Sequence, residues 1–295
     1  ALALAAYDIS QIPDSVLDLH VIIDERSAGF FGLGMAIQTN RPVALLCTSG
    51  SAGAHYLPAL MEAKHSGIPL VAITADRPEE LQGVGTNQTT AQSEMFGSAV
   101  HAVFSQSAPR GDSGELDHAR SLAEEVFRAS MTGAPEMRSG PVHLNVAFRE
   151  PLSAPQRKDA VSTLLTESVN HLGECEQDSR SRSRILEVEA EPGTLVVAGH
   201  RAGRGAESLA TSLGSPLIAE VHSGSHFGPN LVVHYRELLD KPPTDEPIRR
   251  VICVGRPTLS RQIHTLLSRT DVEHIVWQRG EPEPTNPSGI ARVVD

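Results

Sequence analysis

The chain has 295 residues, of which 40% are hydrophobic and 21% charged, and a formal net charge of −11. That length accommodates about two domains, and the composition is that of a globular protein with a sizeable core. The acidic balance argues against nucleic acid as the main partner, since phosphate binding needs a basic surface. With aromatics at 4%, the core must rest on Ala, Val, Ile and Leu. Cys47, Cys175 and Cys253 are far apart and odd in number. They form neither a disulfide framework nor a metal spacing, which fits a reducing cytoplasm. No apolar run approaches the roughly 20 residues needed to cross a bilayer. The opening Ala1-Leu2-Ala3-Leu4-Ala5-Ala6 has no basic leader and is not a signal peptide. It reads as a helix entered midway, so the chain is expected to be incomplete at its N-terminus.

From residue 20 to about 150, short apolar strands alternate with longer helical segments. His20–Ile23 reads as a buried strand leading into a helix through Ala28–Gln38, and Val43–Cys47 leads through Gly50 into Ala52–Lys64. Leu70–Ala75 follows, then a helix over Leu116–Ala129 and a strand over Val142–Phe148. Such alternation predicts a parallel sheet covered on both faces. Residues 151–192, with Pro151, Pro155 and the Ser/Arg run Ser179–Arg184, read as an exposed linker containing some helix. Alternation resumes with Leu195–Ala198, a helix through Ala206–Leu213, Leu217–Ala219, Val251–Val254, a helix through Ser260–Leu267 and Ile275–Trp277. Ile290–Val294 closes the series as one more strand. The fold class is therefore α/β, two doubly wound parallel-sheet domains over 1–150 and 193–295.

Three polar clusters follow strands in the first domain: Asp24-Glu25-Arg26, Thr48-Ser49-Gly50-Ser51 and Asp76-Arg77-Pro78, the last succeeded by Gly85-Thr86-Asn87-Gln88. In an open parallel sheet, ligands bind beyond the carboxyl ends of the strands, so these clusters should converge on one rim. Glu25 is either a helix N-terminal carboxylate, favoured there by the backbone dipoles, or a buried acid sharing a proton with a ligand nitrogen. It precedes Gly29, Gly32 and Gly34, which lower helix propensity by roughly 1 kcal/mol each and imply that something packs very close. Thr48–Gly53 offers backbone N–H groups to an anion or a polar ring edge, or serves only strand–helix packing. Arg77 either pairs with Asp76 or presents its planar fork to a carboxylate. Asn87 and Gln88 add two neutral amides.

Two other motifs compete. Gly111-Asp112-Ser113-Gly114 mimics a serine-protease nucleophile loop, but its polar flanks and the absence of an all-β context make it a surface loop. Gly199-His200-Arg201-Ala202-Gly203-Arg204-Gly205 follows a strand and opens a helix, with Glu220 ending the next strand. That spacing resembles the nucleotide fingerprint of short-chain dehydrogenases. Their Tyr-xxx-Lys pair is missing, because Tyr7, Tyr56 and Tyr235 are followed four residues later by Gln11, Leu60 and Leu239.

Taken together, Ile23–Phe30, Cys47–Gly50, Thr74–Leu81 and Gly85–Gln88 resemble the pyrimidine-binding domain of the 2-succinyl-5-enolpyruvyl-6-hydroxy-3-cyclohexene-1-carboxylate synthase family. These are thiamine-diphosphate enzymes of menaquinone (vitamin K2) biosynthesis. The Asp-Arg-Pro-x-Glu-Leu stretch and the Asn-Gln pair distinguish this family from related acetohydroxyacid synthases and decarboxylases. Cys253–Arg261 is similar to part of the family's central domain. The family's Gly-Ser-Arg-Ser-type loop and its C-terminal diphosphate-binding domain have no counterpart in residues 1–295, nor does a Gly-Asp-Gly magnesium motif.

The resemblance implies a transferase that decarboxylates 2-oxoglutarate and adds the succinyl semialdehyde carbanion to isochorismate. It implies thiamine diphosphate, and Mg²⁺ whose ligands are expected outside this chain. It assigns Glu25 as the catalytic and cofactor-binding acid, with Thr48, Ser49 and Gly50 also lining the cofactor. It assigns Arg77, Asn87, Gln88 and, from the second domain, Arg261 to the substrates. A homodimer or homotetramer in the cytoplasm is implied in the same way. The isolated chain is expected to be inactive. A non-catalytic remnant or regulatory binding module and an NAD(P)-dependent dehydrogenase remain the alternatives.

Overall fold

A computed structural model describes residues 1–13, 15, 17–132, 139–153, 188–241, 247–277 and 283–294. The chain divides into two compact units, Ala1–Ser179 and Arg180–Asp295, each built on its own parallel sheet. Most of the predicted linker 151–192, with its Ser/Arg run and Cys175, lies outside the described residues.

The first unit begins with helix α1 (Leu2–Ser10) and α2 (Glu25–Thr39), followed by β1 (Val43–Cys47), a 3₁₀ segment over Gly50–Tyr56 and α3 (Leu57–Ser66). It continues with β2 (Leu70–Asp76), β3 (Val103–Gln106), α4 (Glu115–Thr132) and β4 (Val142–Ala147). The sheet order is β1-β2-β4-β3, all parallel. Residues of β2 alternate between its two faces, as any strand requires. Leu70 and Ala72 join a core with Leu45, Tyr56, Leu60 and Phe96, while Val71 and Ile73 join the opposite core with Val126, Val142 and Leu144. Burial on both faces explains why these strands read as continuous apolar runs.

One expected strand is corrected. His20–Ile23 is irregular, and Val21 and Ile23 are 84% and 97% exposed. The run has the β-branched composition of a strand, but among the described residues no neighbouring strand supplies the ladder it needs. His20 instead lies against Phe31, ring centroids 5.1 Å apart. Composition also gave no sign of β3, a four-residue strand with two exposed positions.

The expectation that the glycines of α2 mark close packing holds for two of three. A Cβ on Gly29 would stand 3.1 Å from the Ala59 Cβ, and one on Gly32 would stand 2.6 Å from Leu45 Cδ2. Gly34 faces open space.

The second unit contains β5 (Thr194–Ala198), α5 (Gly205–Leu213), β6 (Leu217–Ala219), α6 (Tyr235–Asp240), β7 (Arg250–Val254), α7 (Arg261–Leu267), β8 (Glu273–Trp277) and β9 (Arg292–Val294). Its sheet order is β6-β5-β7-β8-β9, again all parallel. Fully buried Val196, Val197, Ile252 and Ile275 fill its centre. Both sheets thus have the doubly wound form.

Candidate functional site

β1 and β2 run in parallel register, Cys47 beside Thr74, so the segments that follow them leave from the same rim. Helix α2 precedes β1 by a short turn and packs back along it, which returns Glu25 to that rim. The structure thereby brings Glu25, Thr48–Gly50 and Arg77 to one end of the first unit, with Asn87 and Gln88 on the loop beyond.

Asp24, and not Glu25, caps α2. Its carboxylate accepts the Ser27 N–H at 2.7 Å, and that bond holds its pKa below the usual carboxylate range. Glu25, the next residue, is half-buried and free of capping duty. Its charge acts on Cys47 and Tyr56. The Cys47 thiol is pushed up to about 12, first by burial and second by the Glu25 charge. The Tyr56 phenol is raised by burial, then by Cys47 and Glu25. Tyr56 donates to the Leu46 carbonyl at 3.0 Å and so supports the end of β1. Neither Cys47 nor Cys253 is in a disulfide among the described residues, and burial makes Cys47 an inert thiol rather than a nucleophile.

The Thr48–Gly50 turn departs from its expected role. The Gly50 N–H donates to Oε1 of Gln92 at 3.0 Å, so it is not available to an anion. Gln92, 1% exposed, also donates to the Ala75 carbonyl at 3.1 Å, tying the two strand ends together. Gln88 donates to Thr48 Oγ1 at 3.1 Å and to the Ser49 carbonyl at 3.0 Å. Both hydrogens of its amide are therefore spent on the turn, leaving Oε1 without a partner among the described residues. Gly50 has φ +82° and its missing Cβ makes room for Gln88, whose Cγ would be 2.9 Å away. The turn is thus held by two glutamines. It borders an open cleft of about 570 Å³ lined by Gly50, Ser51, Asn87, Gln88 and Met95.

Arg77 is half-buried, and its Nε is buried without a hydrogen-bond partner among the described residues. It forms no ion pair with Asp76. The Asp76 carboxylate is occupied elsewhere: Oδ1 accepts the Arg77 backbone N–H at 2.7 Å, and Oδ2 accepts Asn145 Nδ2 at 2.8 Å and Gln82 Nε2 at 3.3 Å. Glu80 has a structural task, taking a two-pronged contact from Arg149 at 2.7 and 2.9 Å that joins the loop after β2 to the end of β4.

Sequence reasoning missed a buried polar row beneath Arg77. Thr74 and Asp76 on β2 and His143 and Asn145 on β4 share one face of the sheet. Thr74 Oγ1 meets His143 Nε2 at 2.7 Å and donates to Asn145 Oδ1 at 2.9 Å. Thr74 has one hydrogen and spends it on Asn145, so His143 must donate from Nε2. Its Nδ1 is then a buried acceptor without a partner among the described residues, and burial lowers the His143 pKa to about 4. The signal was available: polar residues at i and i+2 in two strands otherwise buried on both faces.

Residues 8–99 match the family model described as "Thiamine pyrophosphate enzyme, N-terminal TPP binding domain". The chain is 44% identical over 294 residues to the 2-succinyl-5-enolpyruvyl-6-hydroxy-3-cyclohexene-1-carboxylate synthase of Leifsonia xyli subsp. xyli, covering 100% of this chain and 48% of that protein. The synthase so named from Arthrobacter sp. strain FB24 is 43% identical over 266 residues, 89% of this chain and 43% of its own length. That from Saccharopolyspora erythraea is 35% identical over 282 residues, 95% and 50% respectively. The chain is a homologue of these synthases. It spans about half the length of the curated relatives it matches.

The thiamine-enzyme match encloses Glu25, Thr48–Gly50, Arg77, Asn87 and Gln88, but ends before His143 and Asn145. The identity to the synthases extends through the second unit, whose rim argues against the dehydrogenase alternative. Gly199 has no space for a Cβ because the backbone of Arg256 and Pro257 lies against it, and His200 bridges to Arg256. Glu220, at the position of a ribose-binding carboxylate, is 1% exposed and accepts the backbone N–H groups of Thr258, Leu259 and Ser260 at 2.9, 2.7 and 3.1 Å. The chain's own segment Arg256–Ser260 packs against this rim and takes up the Glu220 carboxylate. His200 stacks on His222 at 5.4 Å, and its pKa is lowered to about 4 by burial, then by His222, Arg201 and Arg256. Arg261 stands exposed at the start of α7 in the second unit.

Gly111–Gly114 is an exposed loop whose Arg110 and Gly111 N–H groups donate to Glu115 at 2.7 and 3.0 Å. Among the described residues no group of three or more His, Cys, Asp or Glu could hold a metal ion, and no helix is long and apolar enough to cross a membrane.

Proposed function

We propose that this chain supplies the pyrimidine-binding and central domains of a thiamine-diphosphate-dependent 2-succinyl-5-enolpyruvyl-6-hydroxy-3-cyclohexene-1-carboxylate synthase acting in menaquinone biosynthesis. The first unit takes the pyrimidine-binding role and the second the central one. The observation that carries the reading is Glu25: a half-buried acid at the rim, released from capping by Asp24. Such a group fits an aminopyrimidine ring nitrogen, which needs a carboxyl group able to share a proton. The cofactor, when bound, supplies the electron sink for decarboxylating a 2-oxo acid. Glu25 holds the proton at the pyrimidine nitrogen. Gln88 and Gln92 fix the Thr48–Gly50 turn beside the cleft.

Arg77 presents a guanidinium with an unpartnered buried Nε, suited to a substrate carboxylate. 2-Oxoglutarate and isochorismate both carry such groups. Asn87 and the amide oxygen of Gln88 suit hydroxyl groups. Arg261 joins them only as a substrate contact from the central domain. The Mg²⁺ and diphosphate ligands are assigned outside residues 1–295, and the active form to a homodimer or homotetramer. On this reading residues 1–295 expressed alone do not turn over substrate.

The test is an assay of the full-length protein with thiamine diphosphate, Mg²⁺, 2-oxoglutarate and isochorismate. The expected result is CO₂ release matched by isochorismate consumption, each requiring the cofactor. CO₂ release that leaves isochorismate untouched would point to a decarboxylase, and no turnover at all would contradict the proposal.

A further inference from the structure

An arginine beside an aspartate where a strand ends has a carboxylate within reach of its long side chain, and a fork-to-carboxylate contact is among the stronger polar interactions. Here it is not captured, and the hydrogen bonds around Asp76 give the reason. Oδ1 is bound by the Arg77 backbone N–H, and Oδ2 by the amides of Asn145 and Gln82. Asp76 is 7% exposed and Asn145 8%, so water cannot readily take over these contacts. The amide of Asn145 has a fixed sense. Its Oδ1 receives the Thr74 hydroxyl hydrogen, and Thr74 receives the hydrogen of His143 Nε2. The row therefore runs His143 to Thr74 to Asn145 to Asp76, every hydrogen pointing toward the carboxylate. Such directed chains polarise one another and strengthen the final bond. Gln82 adds a clamp from the surface side, donating also to the Arg77 carbonyl at 2.7 Å.

We propose that Asn145 is a positioning residue for Arg77: by saturating Asp76 it prevents capture of the guanidinium and leaves that fork available to an anionic substrate. Asp76 then fixes the Arg77 backbone while its carboxylate makes no claim on the side chain. This rests on the reading of Arg77 as the anion-binding arginine. It goes further by assigning a role to Asn145, which lies outside the thiamine-enzyme match.

The test uses the full-length enzyme with four variants: Arg77→Lys, Asn145→Ala, Asp76→Asn and the Asn145→Ala/Asp76→Asn pair. Arg77→Lys serves as the control and should raise KM for 2-oxoglutarate or isochorismate. For that same substrate, Asn145→Ala should raise KM about tenfold with kcat within about threefold, the scale expected when a charge-assisted bond is diverted. Adding Asp76→Asn to Asn145→Ala removes the capturing charge and should return KM to within about threefold of wild type, even if the melting temperature falls further. A merely structural role predicts the reverse, with the pair at least as impaired as Asn145→Ala. Should Asn145→Ala fail to fold, Gln82→Ala removes the other Oδ2 partner from an exposed loop, and Asp76→Asn should relieve it in the same way. If Arg77→Lys shifts KM but the pair shows no recovery, the positioning role is overturned and the reading of Arg77 survives. If Arg77→Lys shifts neither KM, both fall.

Discussion

His143 should make the first unit acid-labile, and the size of the effect follows from its surroundings. Its side chain is 0% exposed, packs edge-on to Phe96 at 4.7 Å and has a pKa lowered to about 4 against an unfolded value of 6.5. Between those two values the unfolded chain binds the proton and the folded chain does not, so stability falls as pH drops through that window. Above 6.5 the contribution is complete, and below 4 both states are protonated and the slope disappears. Relative to pH 7, the loss is about 2 kcal/mol by pH 5 and about 3 kcal/mol by pH 4. His143→Phe keeps the aromatic volume and removes the titration. Urea unfolding followed by circular dichroism at pH 7 and pH 5 would measure it. The fluorescence of Trp277, the chain's single tryptophan, identifies the separate transition of the second unit. The variant should be less stable at pH 7, because Thr74 loses its donor. Its loss between pH 7 and pH 5 should be about 2 kcal/mol smaller than wild type. An equal pH dependence in both proteins would refute the reasoning.

Other outcomes are equally specific. Gly32→Ala places a methyl group against Leu45 and Val43 and should cost about 1–3 kcal/mol of stability, whereas Gly34→Ala, facing open space, should gain roughly 0.5–1 kcal/mol; urea midpoints of the two variants decide. Glu220→Gln leaves one of three buried backbone donors facing an amide hydrogen. It should lower second-unit stability by about 1–3 kcal/mol, read by Trp277 fluorescence, and an unchanged midpoint would contradict the clamp. Arg77→Lys should weaken apparent substrate affinity in the full-length enzyme with little change in melting temperature; a large stability loss with unchanged kinetics would mark Arg77 as structural.

The strands that were legible were those whose own residues carry the signal. Leu70–Asp76 and Val251–Val254 are buried on both faces, so their apolar runs needed no knowledge of their neighbours. Val21–Ile23 carries the same signal but pairs with no strand among the described residues, and a sequence does not state whether a partner is beside it. Two clusters of the candidate site, Thr48–Ser51 and Asp76–Pro78, were legible as strand ends, because a parallel sheet gathers those ends on one rim, whereas Glu25 follows no strand and reaches the rim on α2. What could not be read was the division of labour inside each cluster. Whether Asp24 or Glu25 caps α2, and whether Asp76 holds Arg77 by its side chain or its backbone, depends on single hydrogen bonds. The role of Asn145 depends on a register, Thr74 beside Asn145, that joins residues 71 positions apart.

The account turns on Glu25 as the acid that serves the cofactor. The most direct measurement is kcat of the full-length enzyme carrying Glu25→Gln, with circular dichroism showing that folding is intact. The substitution keeps size and polarity but abolishes proton sharing, and the account predicts a fall in kcat on the order of 10²–10⁴-fold. A folded Glu25→Gln enzyme with near wild-type kcat would contradict it.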